Sequence, residues 1–292
     1  MKNLISYYYD LIINDFKKKN DSFCFEVDGK KYKFIKFDGD PELLYNNFLT
    51  LKNNNRYCHE IVLNKDNSIL TFYNNEPYLL IKMVFNIDKY VDMNEIISYD
   101  FFVNRKNGID WKKLWKAKID YYEYQMSQIS FKYPILKNSF DYYVGLTETS
   151  ISLINYINDF PINYYVCHKR ITYKEKLDDF FNPIEIVIDS RVRDIAEFIK
   201  INFINGNLRV EEVYNTINKL NFDSTESILL LTRLIYPSYY FDLYDEIIQG
   251  KIGEDKIDFY IKKNTQYEVF LKKIYLYLKT KFVMPNIEWL NF

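Results

Sequence analysis

Two kinds of apolar periodicity divide the chain near residue 85. Residues 22–37, SFCFEVDGKKYKFIKF, alternate around Asp28-Gly29, a type I′ turn signal because glycine tolerates positive φ. They predict a β-hairpin whose second arm mixes Tyr32, Phe34 and Ile35 with Lys31, Lys33 and Lys36. Residues 1–16 predict an amphipathic helix with Leu4, Tyr8, Leu11 and Ile12 on one face. Pro41 through about Lys52 predicts a helix capped by Asp40, with Leu43, Leu44, Phe48 and Leu51 forming its apolar face. Three strands follow, at His59–Leu63, Ser68–Tyr73 and Pro77–Phe85, with polar turns between them.

Beyond residue 86 the period becomes helical. Asp110–Phe131 carries Trp111, Leu114, Trp115, Ile119, Tyr122 and Met126 at helical spacing behind an Asp110 N-cap. Phe140–Asn158 turns Tyr143, Leu146, Ile151 and Ile154 inward. Further helices are expected at 192–203, 208–249 and 254–281, with short extended pieces at 161–166 and 183–188. The pattern predicts an α+β chain. An N-terminal antiparallel sheet with one crossing helix fills 1–85, a larger mainly helical lobe fills 86–292, and the two meet near Val84–Asp88.

Composition narrows the function. The 292 residues hold 39 Lys+Arg and 40 Asp+Glu, a formal net charge of -1, so no excess positive charge directs the chain to nucleic acid. The aromatic fraction, 19%, reads as core before it reads as a base-stacking platform, since no basic stripe accompanies it. Cys24, Cys58 and Cys167 form no disulfide framework, so a reducing cytoplasm is expected. No signal peptide and no membrane span are expected, because charges and tyrosines interrupt every apolar run.

The chemistry-bearing stretch is 167–198, CHKRITYKEKLDDFFNPIEIVIDSRVRDIAEF. A loop with His168, an apolar strand ending in Asp189 and the helix start Asp194–Phe198 resemble the aminoglycoside phosphotransferase and choline kinase branch of the protein-kinase-like phosphotransferases. Trp111–Gln125, Asp141–Glu148, Val166–Arg170, Asp189–Phe198, Arg233–Phe241 and Met284–Leu290, in that order, resemble the YutH-type spore coat kinase-like proteins over almost the whole chain. The resemblance implies a protein-kinase-like bilobal fold, cytoplasmic synthesis and association with the developing spore coat. It also implies a nucleotide between lobes, a strand lysine on its phosphates, a catalytic Asp after the loop His, and a later Asp on Mg²⁺.

Several of those parts depart from the pattern. His168 is followed by Lys169 and Arg170, where the family has its general-base Asp two residues past the His, and a guanidinium accepts no proton. The metal-binding Asn position falls on Glu175. No Gly-rich loop precedes the hairpin. Lys36 stands where the strand lysine is expected, with Lys33 as rival on the opposite pleat face, and Glu42 lies too early in its helix to pair with Lys36.

Plainer readings stand beside these. Lys36 is a solvated strand lysine, Asp189 a cap for the helix 192–203, and His168 a structural histidine. Asp178-Asp179 is a solvated acid pair or a replacement base. The pairs Cys58-His59 and Cys167-His168 fit no zinc spacing. The expected function is that of a kinase-like protein lacking phosphotransferase activity and acting on protein partners as a scaffold. The alternative is an atypical phosphotransferase using ATP and Mg²⁺, with Lys36, Glu175 and Asp189 as its site.

Overall fold

The structure is a computed structural model and describes residues 1–19, 22–84, 87–104, 108–157 and 160–291. Helix α1 (Lys2–Tyr9) ends where Asp10 adopts φ 52°, a left-handed conformation that stops helical hydrogen bonding. The expected helix over 1–16 is therefore shorter. Ile12 is exposed, and Phe16 instead opens an unforeseen strand, β1 (Phe16–Lys19). The predicted hairpin is β2 (Ser22–Val27) and β3 (Lys30–Lys36), closed by positive φ at both Asp28 and Gly29.

Helix α2 (Pro41–Asn53) starts under Asp40, whose carboxylate accepts from the Glu42 and Leu43 amides. Its buried face is Leu44, Asn47, Phe48 and Leu51, at i, i+3, i+4 and i+7; Leu43 falls off this stripe and is exposed, contrary to expectation. Strands β4 (Glu60–Val62), β5 (Thr71–Tyr73) and β6 (Glu76–Lys82) follow, then the unforeseen helix α3 (Met93–Tyr99) and strand β7 (Phe102–Val103). The expected strand end at Phe85, the helix end at Asn158 and the lobe boundary at 85/86 fall outside the described residues.

Helices α4 (Trp111–Ile129) and α5 (Pro134–Tyr156) come next; α5 starts six residues before the expected Phe140 because Pro134 suits a first helical turn. Strand β8 (Tyr164–His168), helix α6 (Leu177–Phe180), strand β9 (Ile186–Asp189) and helix α7 (Val192–Ile204) carry the kinase-like stretch. The chain finishes with α8 (Val210–Leu220), α9 (Ser224–Ile235), α10 (Ser238–Ile248), α11 (Asp258–Ile261), α12 (Asn264–Lys279) and α13 (Glu288–Asn291).

Two compact units result. The first comprises Met1–Phe101, Val166–Arg170 and Lys174–Ile188; the second comprises Phe102–Tyr165, Ile171–Tyr173 and Asp189–Phe292. The segment Val166–Arg170, which carries His168, thus groups with Met1–Phe101 although it lies far from those residues in sequence.

In the first unit the antiparallel sheet runs β1-β2-β3-β6-β4, with β5 also on β6. Its pleat separates two apolar faces. Phe25, Tyr32, Phe34, Tyr78 and Leu80 pack with Ile5 and Ile13 on one. Leu79, Ile81 and Ile61 pack with Leu44 and Phe48 of α2 on the other. In the second unit the core is helical and aromatic: Trp115 stacks on Tyr236 at 4.0 Å, and Tyr143 stacks on Tyr240 at 3.6 Å. Among the described residues, no helix is long and apolar enough to cross a membrane.

Candidate functional site

Strand register decides which lysine faces which way. Lys33 pairs with Ile81, and Ile81 with Ile61, so Lys33 projects on the α2 side of the sheet. Lys36 pairs with Tyr78 on the opposite face, and its ammonium meets Glu76 at 2.5 Å, both side chains being well exposed. On the α2 face the helix offers no carboxylate to either lysine. Its buried polar residue is Asn47, whose amide donates to the Ile186 carbonyl at 3.4 Å, while Glu42 lies exposed at the helix start.

Lys33 finds its counter-charge elsewhere. Asp179 of α6 approaches it at 3.1 Å, with its side chain still 59% exposed. Its neighbour Asp178 accepts from the Ile87 amide at 2.9 Å through its side chain. The Asp178 carbonyl lies 2.6 Å from His59 Nε2, and the Val84 amide donates to His59 Nδ1 at 3.2 Å. An amide N–H can only donate, so Nδ1 accepts and Nε2 carries the proton: His59 is held as the neutral tautomer. Burial lowers its pKa, against a smaller opposing pull from the Asp178 carbonyl.

His168 is fully buried. Its ring stacks on Phe180 at 3.8 Å and its Nε2 lies 2.9 Å from the Phe180 carbonyl. Lys169 donates its backbone amide to Glu185 at 2.7 Å, and the Arg170 guanidinium donates to the Lys169 carbonyl at 3.0 Å. Glu175 is buried, and its carbonyl accepts from the Val91 amide at 2.8 Å.

Asp189, the last residue of β9, belongs to the second unit, and a set of charged and aromatic side chains surrounds it there. Oδ1 accepts from Trp111 Nε1 at 3.1 Å and from the Ser190 amide at 2.7 Å. Oδ2 accepts from Arg193 Nη1 at 2.9 Å and from Arg233 Nη2. Four donors match the four lone-pair positions of a carboxylate. The three charged side chains are all nearly inaccessible, at 5% for Asp189, 5% for Arg193 and 7% for Arg233. The face of Trp111 lies against both guanidiniums, 4.9 Å from Arg193 and 4.5 Å from Arg233. Burial alone would raise the carboxyl's pKa; Arg233 and Arg193 overcome it, and the net shift is downward. Asp189 does not cap the following helix, since α7 begins at an Arg191 N-cap without a side-chain cap bond.

This donor set does not fit a divalent cation. A metal ligand needs a lone pair aimed at open space, and a dication here would stand beside two guanidiniums. Among the described residues, no group of three or more His, Cys, Asp or Glu is arranged to hold a metal.

Of the expected site, the structure assigns Lys36 and Glu175 to the first unit and Asp189 to the second. The associations that sequence reading missed are Lys33 with Asp179, and Asp189 with Arg193 and Arg233. The second had a partial signal, because Arg193 follows Asp189 by four residues at a helix start.

Comparison with known proteins agrees with this fold. Solved structures that resemble the chain include an aminoglycoside phosphotransferase from Alicyclobacillus acidocaldarius subsp. acidocaldarius DSM 446, with 12% identity, TM-score 0.64 and 96% of each chain covered. The choline kinase LicA from Streptococcus pneumoniae has 13% identity and TM-score 0.55, covering 93% of this chain and 97% of that one. Spectinomycin phosphotransferase APH(9)-Ia, solved with ADP and its antibiotic, has 10% identity and TM-score 0.54, covering 96% and 97%. No curated protein matches the sequence. The fold is that of the kinase-like phosphotransferases. The family described as Spore coat putative kinase YutH matches residues 2–274, and the chain belongs to that family.

Proposed function

We propose that this chain is a kinase-like protein that works by binding rather than by transferring phosphate, and that it serves as a scaffold in assembly of the spore coat. One observation carries the reading: the carboxylate expected to hold Mg²⁺, Asp189, is committed to two buried guanidiniums, an indole and a backbone amide. Phosphoryl transfer depends on positioning and on neutralising phosphate charge, and a metal is the usual agent of both. The loop His168-Lys169-Arg170 supports the same reading, because it offers a buried ring and two cations where a proton acceptor is required.

Coat association rests on the family to which the chain belongs. Mg²⁺-dependent chemistry has no place in this reading. Purified protein incubated with labelled ATP and Mg²⁺ tests it. The expected result is no hydrolysis or transfer above the protein-free background. Sustained turnover that disappears in Asp189→Asn contradicts it.

A further inference from the structure

A cavity of about 50 Å³, open to solvent, lies wholly within the second unit, among α5, α7, α10, α11 and α12. Seven of its lining residues are tyrosines. Tyr143 donates its hydroxyl to Asn264 Oδ1, Tyr239 to the Ile171 carbonyl and Tyr267 to the Leu234 carbonyl, each at 2.7 Å. Tyr240 shares a hydrogen bond with Ser139 at 3.0 Å. These hydroxyls are spent, so what their residues offer the cavity is ring carbon. Lys200 is spent in the same way. Its ammonium donates to Ser238 Oγ at 2.6 Å, to Glu197 at 2.7 Å and to the Tyr236 carbonyl at 3.3 Å, three acceptors for three N–H bonds.

Tyr260, Lys263 and Asn264 supply the polar edge. Spaced i, i+3 and i+4, with Tyr267 at i+7, they share one face of consecutive helical turns, and all three are half-buried. Asn264 gives its oxygen to Tyr143, which leaves its N–H bonds for a ligand. Among the described residues, Lys263 has no ion-pair partner, and no Asp or Glu lines the cavity. Burial, with Asp242 acting on Tyr260 and Glu268 on Tyr142, raises the pKa of both phenols, so both keep their protons; neither carboxylate is part of the lining. The edge therefore presents an ammonium, an amide N–H and a phenol O–H, three groups able to donate.

The wall suits an apolar body and the edge suits a single anionic end. An ammonium ligand would meet Lys263 with no lining carboxylate to offset the repulsion, and a phosphate chain has no apolar body for the tyrosine wall. We propose that this cavity binds a short-chain aliphatic monocarboxylate, its branched tail against the tyrosine rings and its carboxylate on Lys263, Asn264 and Tyr260. A cavity of roughly 150 Å³ accepts benzene, so the smaller space here takes a body below phenyl size. This inference goes beyond the kinase-like reading and does not rest on it.

The test uses the full chain and sodium isovalerate (3-methylbutanoate) as probe, titrated by ligand-observed saturation-transfer NMR. Saturable binding is expected. Acetate lacks the branched tail and should bind more than about tenfold more weakly. Isovaleramide lacks the charge and should bind about tenfold more weakly. Lys263→Met keeps the apolar stem, so it should weaken isovalerate about tenfold and leave isovaleramide unchanged. Lys262→Met, at an exposed position off the lining, should match wild type. Circular dichroism melts confirm that each variant is folded, and the acetate and isovaleramide comparisons need no variant. An absence of saturable binding to folded wild type overturns the proposal, as does acetate binding as tightly as isovalerate. So does unchanged isovalerate affinity in Lys263→Met, or an equal loss in Lys262→Met.

Discussion

Replacing Asp189 with Asn separates a structural carboxylate from a metal-binding one by the sign of its effect on stability. The substitution keeps the size and removes the charge between Arg193 and Arg233, whose side chains are 5% and 7% exposed. Two buried guanidiniums would then lose the carboxylate that lies between them. Removing one partner of a buried ion pair costs about 3–5 kcal/mol. For a chain of this size each kcal/mol moves Tm by roughly 2–4 °C, so Tm should fall by about 6–20 °C.

The assay is a thermal melt followed by circular dichroism, without nucleotide or metal. The pH dependence sharpens it. The carboxyl's folded pKa lies below its ordinary value of 3.8, with Arg233 and Arg193 outweighing burial. A depressed carboxyl pKa gives stability that is present above the unfolded value and is lost as pH falls through the folded one. The gap between wild type and variant should therefore be full at neutral pH and shrink only below about pH 4. An unchanged or raised Tm in Asp189→Asn refutes the reasoning, because a carboxylate kept for a metal is a strained site whose neutralisation stabilises the apoprotein.

His59 predicts a second pH response. Its folded pKa is lowered by burial, so the unfolded chain binds the extra proton, and stability should fall as pH drops below about 6.5 and level off below the folded value. Urea midpoints from pH 5 to 8 should lose that slope in His59→Gln. Lys36→Met should change stability by less than about 1 kcal/mol, because its pair with Glu76 is exposed. A larger loss, read from urea midpoints, would show that the Lys36–Glu76 pair holds the sheet in place.

Much of the fold was legible because local signals and tertiary packing agree. The Asp28-Gly29 turn set the hairpin register, and Asp40-Pro41 and Asp110 set helix starts, each through bonds within four residues of chain. The misreadings occur where the deciding contact is distant or geometric. Helix α1 stops at Asp10 although the apolar spacing continues, and Phe16 turns instead to pair as a strand with Phe25. The faces taken by Lys36 and Lys33 are set by equally distant pairing. Only the pairing of β3 with β6, 40 or more residues on, fixes that Lys33 faces α2. The arginine clamp was hidden for the same reason, since Arg233 lies 44 residues beyond Asp189 and nothing in its local sequence announces a buried charge. The departure at Arg170, by contrast, needed no structure, because it is a substitution of residue type at a fixed spacing.

With its carboxylate committed to two guanidiniums, Asp189 should bind no divalent metal. Water-proton relaxation with Mn²⁺, measured on the full chain with and without ATP, checks this. Mn²⁺ should report no protein site that Asp189→Asn removes, the signal of the folded variant matching that of wild type. A protein-dependent Mn²⁺ site present in wild type and absent in Asp189→Asn contradicts it.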